Sequence, residues 1–138
     1  MKRTIVTDRE ILRCIHDMHQ DQYPGPELPG GKRQNDPYLP IPVREVAAKL
    51  GTSPEMLFGR LYYHLDAKYR YKDSGGAETH LFSMKVGDKI HCVHFPYLSA
   101  VLAEHEAEHR QFWWTLWLSI AALVLSAASI ISQIVTAK

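Results

Sequence analysis

An uncharged run in its last fifth restricts this chain more than any other feature. Residues 111–137 contain no Asp, Glu, Lys, Arg or His, and only Ser, Thr and Gln interrupt the apolar side chains. About 20 mostly apolar residues suffice to cross the hydrocarbon layer of a bilayer, and residues 112–135 exceed that even when tilted. All three tryptophans, Trp113, Trp114 and Trp117, stand at the start of the run, where amphipathic indoles act as interfacial anchors. Residues 1–8 hold no apolar core of the kind a signal peptide needs. The pattern predicts one transmembrane helix over 112–135 and a protein anchored by its C-terminal segment.

The 138 residues leave room for one soluble domain ahead of that helix. Of the 16 Lys and Arg all but Lys138 fall at or before Arg110, as do all 15 Asp and Glu, so this part of the chain is electrically neutral. That argues against a surface driven mainly by phosphate charge, while leaving a local patch open. Cys14 and Cys92 stand in no metal or redox spacing and read as buried apolar thiols in a reducing compartment. Arg110 and Lys138 flank the run on its two sides, so the positive-inside bias discriminates little. A neutral, cysteine-poor head without an export signal favours a cytoplasmic N-terminal side.

Along the head, Asp8 is the expected N-cap of a helix from Arg9 to about His19, with Ile11, Cys14, Ile15 and Met18 on one face. Residues 23–42 hold six of the eight prolines and three glycines, which predicts a long loop that is neither helix nor central strand. Residues 43–50 resume a helical pattern that stops at Gly51. Thr52 or Ser53 then caps a helix from Pro54 to about Tyr69, with Leu57, Leu61 and Leu65 as its apolar stripe and Phe58 and Tyr62 beside them. A polar turn, Asp73-Ser74-Gly75-Gly76, leads to two strand-like runs, 79–85 and 89–95, with Gly87-Asp88 as a hairpin turn between them. Residues 97–111 read as a juxtamembrane helix that continues into the apolar one.

A short helix, a glycine turn and a second helix form the helix-turn-helix pattern. Residues 43–65 resemble winged helix-turn-helix families, most closely through Val46-Ala47-Ala48-Lys49-Leu50-Gly51-Thr52-Ser53-Pro54. The resemblance covers about half the chain. It implies an α+β, winged-helix-like domain over residues 1–96, followed by the long helix. It also raises nucleic acid as a partner. The second helix offers Arg60, Tyr63, His64, Lys68, Arg70 and Lys72, and the hairpin offers Lys85 and Lys89, as contacts to phosphates or to a protein partner. Tyr62, Tyr63, Tyr69 and Tyr71 add an aromatic cluster able to stack on single-stranded bases or to fill a core or interface. Glu55 and Asp66 work against a phosphate surface, and protein docking is favoured.

Chemistry is sparse. His105-Glu106-Ala107-Glu108-His109 matches the H-E-x-x-H zinc-protease pattern, but catalytic zinc needs a third protein ligand. No His, Asp, Glu or Cys follows His109, so the motif reads as a solvated juxtamembrane turn. His91-Cys92-Val93-His94 alternates on a strand and offers two ligands on one face, too few for a metal. No Ser-His-Asp arrangement, P-loop or glycine-rich dinucleotide motif is present. The expectation is a non-enzyme with no catalytic residue, metal or cofactor.

The apolar run carries a pattern of its own. Thr115, Ser119, Ala122, Ser126, Ser129, Gln133 and Thr136 follow steps of 4, 3, 4, 3, 4, 3. Such a heptad seam keeps one face against a partner helix. In lipid, small residues and interhelical hydrogen bonds, not hydrophobicity, drive association. The blander reading is that each Ser or Thr bonds back to its own helix. The register favours a homo-oligomer, whose seam could also line a narrow wet pore.

A short head on a polar-seamed membrane helix resembles, in layout, the small membrane effectors of bacterial phage-defence modules, including retron-type systems. That resemblance implies a non-enzymatic antiviral effector in the bacterial inner membrane. Its head docks a restraining partner, protein or nucleic acid, and its helices assemble on release to perturb the bilayer. The few residues after the helix leave little to sense beyond the membrane. The alternatives are a membrane-tethered DNA-binding regulator and a scaffold subunit of a larger membrane complex.

Overall fold

The computed structural model describes residues 5–23, 27–28, 32–33 and 36–137. Its first helix is α1 (Asp8–His19), and the N-cap is Thr7 rather than the expected Asp8. Thr7 Oγ1 accepts from the Glu10 N–H, and the Glu10 carboxylate accepts from the Thr7 N–H at 2.7 Å, a reciprocal capping box. With Thr7 closing the helix end, the Asp8 carboxylate is released for partners elsewhere. The buried face is Ile11, Leu12, Ile15 and His19, whereas Cys14 and Met18 lie half-buried at its margin. His19 tolerates burial because its Nδ1 bonds the Ile15 carbonyl at 2.8 Å.

The proline-rich segment is not loop throughout. Two-residue strands β1 (Glu27–Leu28) and β2 (Lys32–Arg33) pair antiparallel. Residues 24–26, 29–31 and 34–35 of the segment lie outside the described residues, as do residues 1–4 and Lys138. Strand β3 (Tyr38–Pro40) then joins a three-stranded sheet at its edge, a position where a proline need cost no ladder bond.

Helix α2 (Val43–Leu50) stops where expected, at Gly51, whose φ of +66° is the left-handed conformation of a C-terminal glycine. Ser53 caps the next helical stretch, its Oγ accepting from the Met56 N–H at 3.3 Å with Pro54 in the first turn. That stretch is α3 (Pro54–Gly59), a π-helical segment (Arg60–Leu65) and α4 (Asp66–Tyr69), not the single regular helix the leucine spacing implies. Hydrogen bonding from i to i+5 widens the turn. Adjacent residues therefore face inward together: Leu61 with Tyr62, and Leu65 with Asp66, are all buried.

Strands β4 (Tyr71–Lys72) and β5 (Glu78–Thr79) close the polar turn, where Asp73 Oδ1 accepts from the Gly75 and Ala77 N–H groups at 2.8 and 3.0 Å. Thr79 thus belongs to this ribbon, and the main hairpin starts later, as β6 (Phe82–Val86) and β7 (Lys89–His94). Gly87 has φ +60° and Asp88 does not share the left-handed region, the pattern of a type II′ turn. The sheet order is β3-β7-β6, all antiparallel, with β7 central.

Phe95 opens helix α5 (Phe95–Thr136) instead of ending the strand. Its N–H donates to the Pro37 carbonyl at 2.9 Å, and His94 Nδ1 accepts from the Tyr97 N–H at 3.2 Å, serving as the cap. The chain divides into two compact units, Met1–Leu102 and Ala103–Lys138. The first has one core, formed by the buried faces of α1, α2, the 54–69 stretch and the sheet together with Phe95, Leu98, Val101 and Leu102. The head therefore extends past residue 96 to include the opening turns of α5. Burial of each such large apolar side chain contributes about 1.5–3 kcal/mol, and Tyr97 adds a hydrogen bond to the Tyr69 carbonyl at 2.6 Å.

Candidate functional site

In the second unit, α5 contains the one stretch among the described residues long and apolar enough to cross a membrane. Residues 112–135 rise about 36 Å at 1.5 Å per residue, more than the roughly 30 Å of a hydrocarbon layer. None of its apolar window is buried within the protein. Exposed patches larger than a few hundred Å² mark a surface made to be covered, and here the exposed side chains include Trp114, Leu118, Leu123, Leu125, Ile131 and Val135.

The polar seam of this helix divides into two groups. Thr115 Oγ1 donates to the Gln111 carbonyl at 3.0 Å, Ser119 Oγ to the Thr115 carbonyl at 2.9 Å, and Thr136 Oγ1 to the Ser132 carbonyl. These three satisfy themselves by bonding back one turn. Ser126, Ser129 and Gln133 have no side-chain hydrogen-bond partner among the described residues, so in an apolar surrounding their donors require a neighbour. At about 100° per residue, the seven seam positions share an arc of about 100°. At the other end of the run, Trp113 Nε1 donates to His109 Nε2 at 3.2 Å, which fixes one indole against the preceding turn.

The head's candidate contacts gather around several of its own carboxylates. Arg60 and His64 converge on Asp8, Arg60 through Nη2 and His64 through Nε2 at 3.0 Å. Burial pushes the Asp8 carboxyl up, but these two partners outweigh it and leave the group below the usual range. Arg70 and His80 each reach Asp66 Oδ2 at 3.0 Å, while Asp66 Oδ1 accepts from the Phe82 N–H at 3.2 Å. Burial again raises the Asp66 carboxyl, and the bonds from His80 and Arg70 bring it below its ordinary value. Lys72 pairs with Glu78 at 2.8 Å, and Lys89 with Asp36 at 2.6 Å. Lys68 stands over the Tyr69 ring, 5.1 Å from its centroid. Lys85 has no ion-pair partner among the described residues, and Tyr63 is 76% exposed. Five of the eight proposed contacts thus hold carboxylates of the head itself.

The histidines and the cysteine of the β7 strand separate. Cys92 is buried, and burial raises its thiol. His94 lies against Tyr38 and Tyr97, and burial lowers its imidazole, keeping it neutral as the acceptor that caps α5. His91 adopts φ +56° and meets Tyr62, whose hydroxyl lies 2.8 Å from His91 Nδ1. Burial pushes that phenol up to about 12, so it stays protonated. His91 and Phe58 line an open cleft of about 650 Å³ with Ile41, Arg44, Glu45 and Glu55, between the starts of α2 and α3. The sequence marks His91 only as part of a metal-like cluster; nothing in its spacing discloses the cleft. Among the described residues no group of three or more His, Cys, Asp and Glu is placed to hold a metal ion.

Comparison of the chain with protein-family models, with curated proteins and with solved structures found no match.

Proposed function

We propose that the protein is a single-pass membrane effector without enzymatic activity. Its apolar helix crosses the bilayer and self-associates along the polar seam, and its head docks a protein partner that restrains it. One observation carries the membrane part: an apolar stretch of membrane length with none of its window buried. A soluble protein would have to cover that surface, and the exposed indoles at one end match the arrangement of an interfacial belt. Self-association is supported by Ser126, Ser129 and Gln133, whose polar groups are unsatisfied within their own helix and lie on one face.

A winged-helix reading of the head is supported by its order: helix, edge strand, helix, helix, then a hairpin whose second strand lies central in the sheet. Protein docking is favoured over DNA because Arg60, Arg70, Lys72 and Lys89 already neutralise carboxylates of the head. Phosphate binding would have to break those pairs. The reading of a role in phage defence rests on a resemblance of layout alone, a short head on a seamed helix.

The test replaces Ser119, Ser126 and Ser129 together with Leu and compares this variant with Leu at Ala121, Ala128 and Val135, off the seam. Both sets keep the helix apolar. Crosslinking in membranes and growth on expression are then measured. The seam variant is expected to lose the oligomer and any toxicity, and the control to keep both. Equal behaviour of the two variants makes the helix an anchor only and favours the tethered regulator.

A further inference from the structure

We infer that Arg110, Trp114 and Trp117 form a binding site for the phosphodiester of an anionic phospholipid headgroup, on the face of the helix turned away from the polar seam. The inference rests on the membrane reading above and adds a ligand to it.

His109, Arg110, Trp113, Trp114 and Trp117 line one groove of about 500 Å³. It sits where the charged part of α5 ends, because Arg110 is the last charged residue before the uncharged run. A headgroup phosphate meets a membrane helix at this level. No carboxylate lines the groove, and Glu106, one turn earlier, is not among its walls. Its donors can be assigned one by one. The Trp113 N–H is spent on His109 Nε2, so that imidazole nitrogen is an acceptor and leaves Arg110 as the one fixed charge. What remains for a ligand is the Arg110 guanidinium and the indole N–H groups of Trp114 and Trp117, both exposed.

Those donors select the ligand. A planar guanidinium matches the two unbridged oxygens of a phosphodiester, and the ring faces beside it match an acyl-glycerol body. A choline headgroup would bring its own ammonium against Arg110, so a net negative lipid is preferred to a zwitterionic one.

Position around the helix agrees with self-association. At about 100° per residue, Arg110, Trp114 and Trp117 centre about 120° from the middle of the seam. Lipid and partner helix therefore occupy separate faces.

All three tryptophans of the chain lie in this groove, so tryptophan fluorescence reports this site alone. The full-length protein is reconstituted in phosphatidylcholine vesicles. Quenching is measured as either brominated phosphatidylglycerol or brominated phosphatidylcholine is added at equal mole fraction. The site predicts about five-fold preferential quenching by the anionic lipid, the ratio expected for one basic residue near the surface. Arg110→Gln should bring the preference close to unity, and the Ser119, Ser126 and Ser129 to Leu variant should retain it. Equal quenching by both lipids in the unaltered protein, or an undiminished preference in Arg110→Gln, overturns the lipid site while leaving the membrane reading standing. Quenching by neither lipid overturns the membrane reading as well.

Discussion

Asp66 joins the end of the 54–69 helical stretch to the start of the hairpin, and Asp66→Ala measures how much that junction holds. Its side chain is 5% exposed, and it meets three donors: His80, Arg70 and the Phe82 N–H. Removing it leaves the Phe82 N–H buried without an acceptor, which costs about 1–3 kcal/mol. The Arg70 and His80 side chains are 39% and 38% exposed and return to water, so each contact is discounted to about 0.2–1 kcal/mol. The sum is about 1.5–5 kcal/mol, which for a domain of this size lowers the melting temperature by about 6–25 °C. Asp66→Asn keeps an oxygen for Phe82 and should lose roughly half as much. All seven tyrosines precede residue 103 and all three tryptophans follow it. Near-ultraviolet circular dichroism in the tyrosine band, on the full chain in mild detergent, therefore follows the head. A melting temperature for Asp66→Ala within about 3 °C of the parent would refute the junction.

Acid should destabilise the head in two separate steps. His94 is held below its ordinary value of 6.5, so its contribution is complete above that pH and is lost as pH falls through the lower folded value. His94→Gln, which keeps an acceptor for the Tyr97 N–H, should remove this step from a melting series between pH 7 and pH 5. Asp8, Asp36 and Asp66 are all held below 3.8, so their contribution is lost only at lower pH. With Arg60, Arg70, Lys72 and Lys89 already paired, the full chain in detergent should show no salt-sensitive retention on double-stranded DNA at moderate ionic strength. Retention that Lys68→Ala and Lys85→Ala weaken, with a flatter salt slope, would restore the nucleic-acid reading.

Local signals in the sequence were legible wherever the chain's own neighbours decide the outcome. Gly51 ends α2, Ser53 and Pro54 start α3, and Gly87-Asp88 turns the hairpin, each through backbone requirements met within a few residues. The uncharged run was legible for the same reason. What escaped depends on distant partners. Asp8 looks like a cap, but Arg60 and His64, 52 and 56 residues away, claim its carboxylate, and Thr7 caps instead. Lys89 looks available to a phosphate until Asp36, 53 residues earlier, is placed beside it. β3 lies hidden in a proline-rich segment because an edge strand needs only one neighbour, and β7 supplies it. The π-helical turn leaves no mark in the leucine spacing, since Leu57, Leu61 and Leu65 fit an α-helix equally well. Phe95 has a strand-like context, yet the sequence alone does not reveal the His94 cap and the Pro37 carbonyl that start a helix there.

The central claim is that residues 112–135 lie in a bilayer, and the most direct test is alkaline carbonate extraction of membranes from cells making the full chain or a chain ending at Gln111. A helix of this length with an uncovered apolar window should keep the full chain in the membrane pellet after extraction, whereas the shorter chain, which retains the head's core through Leu102, should appear in the supernatant. Recovery of the full chain in the supernatant, without detergent or a bound partner covering the helix, would contradict the account.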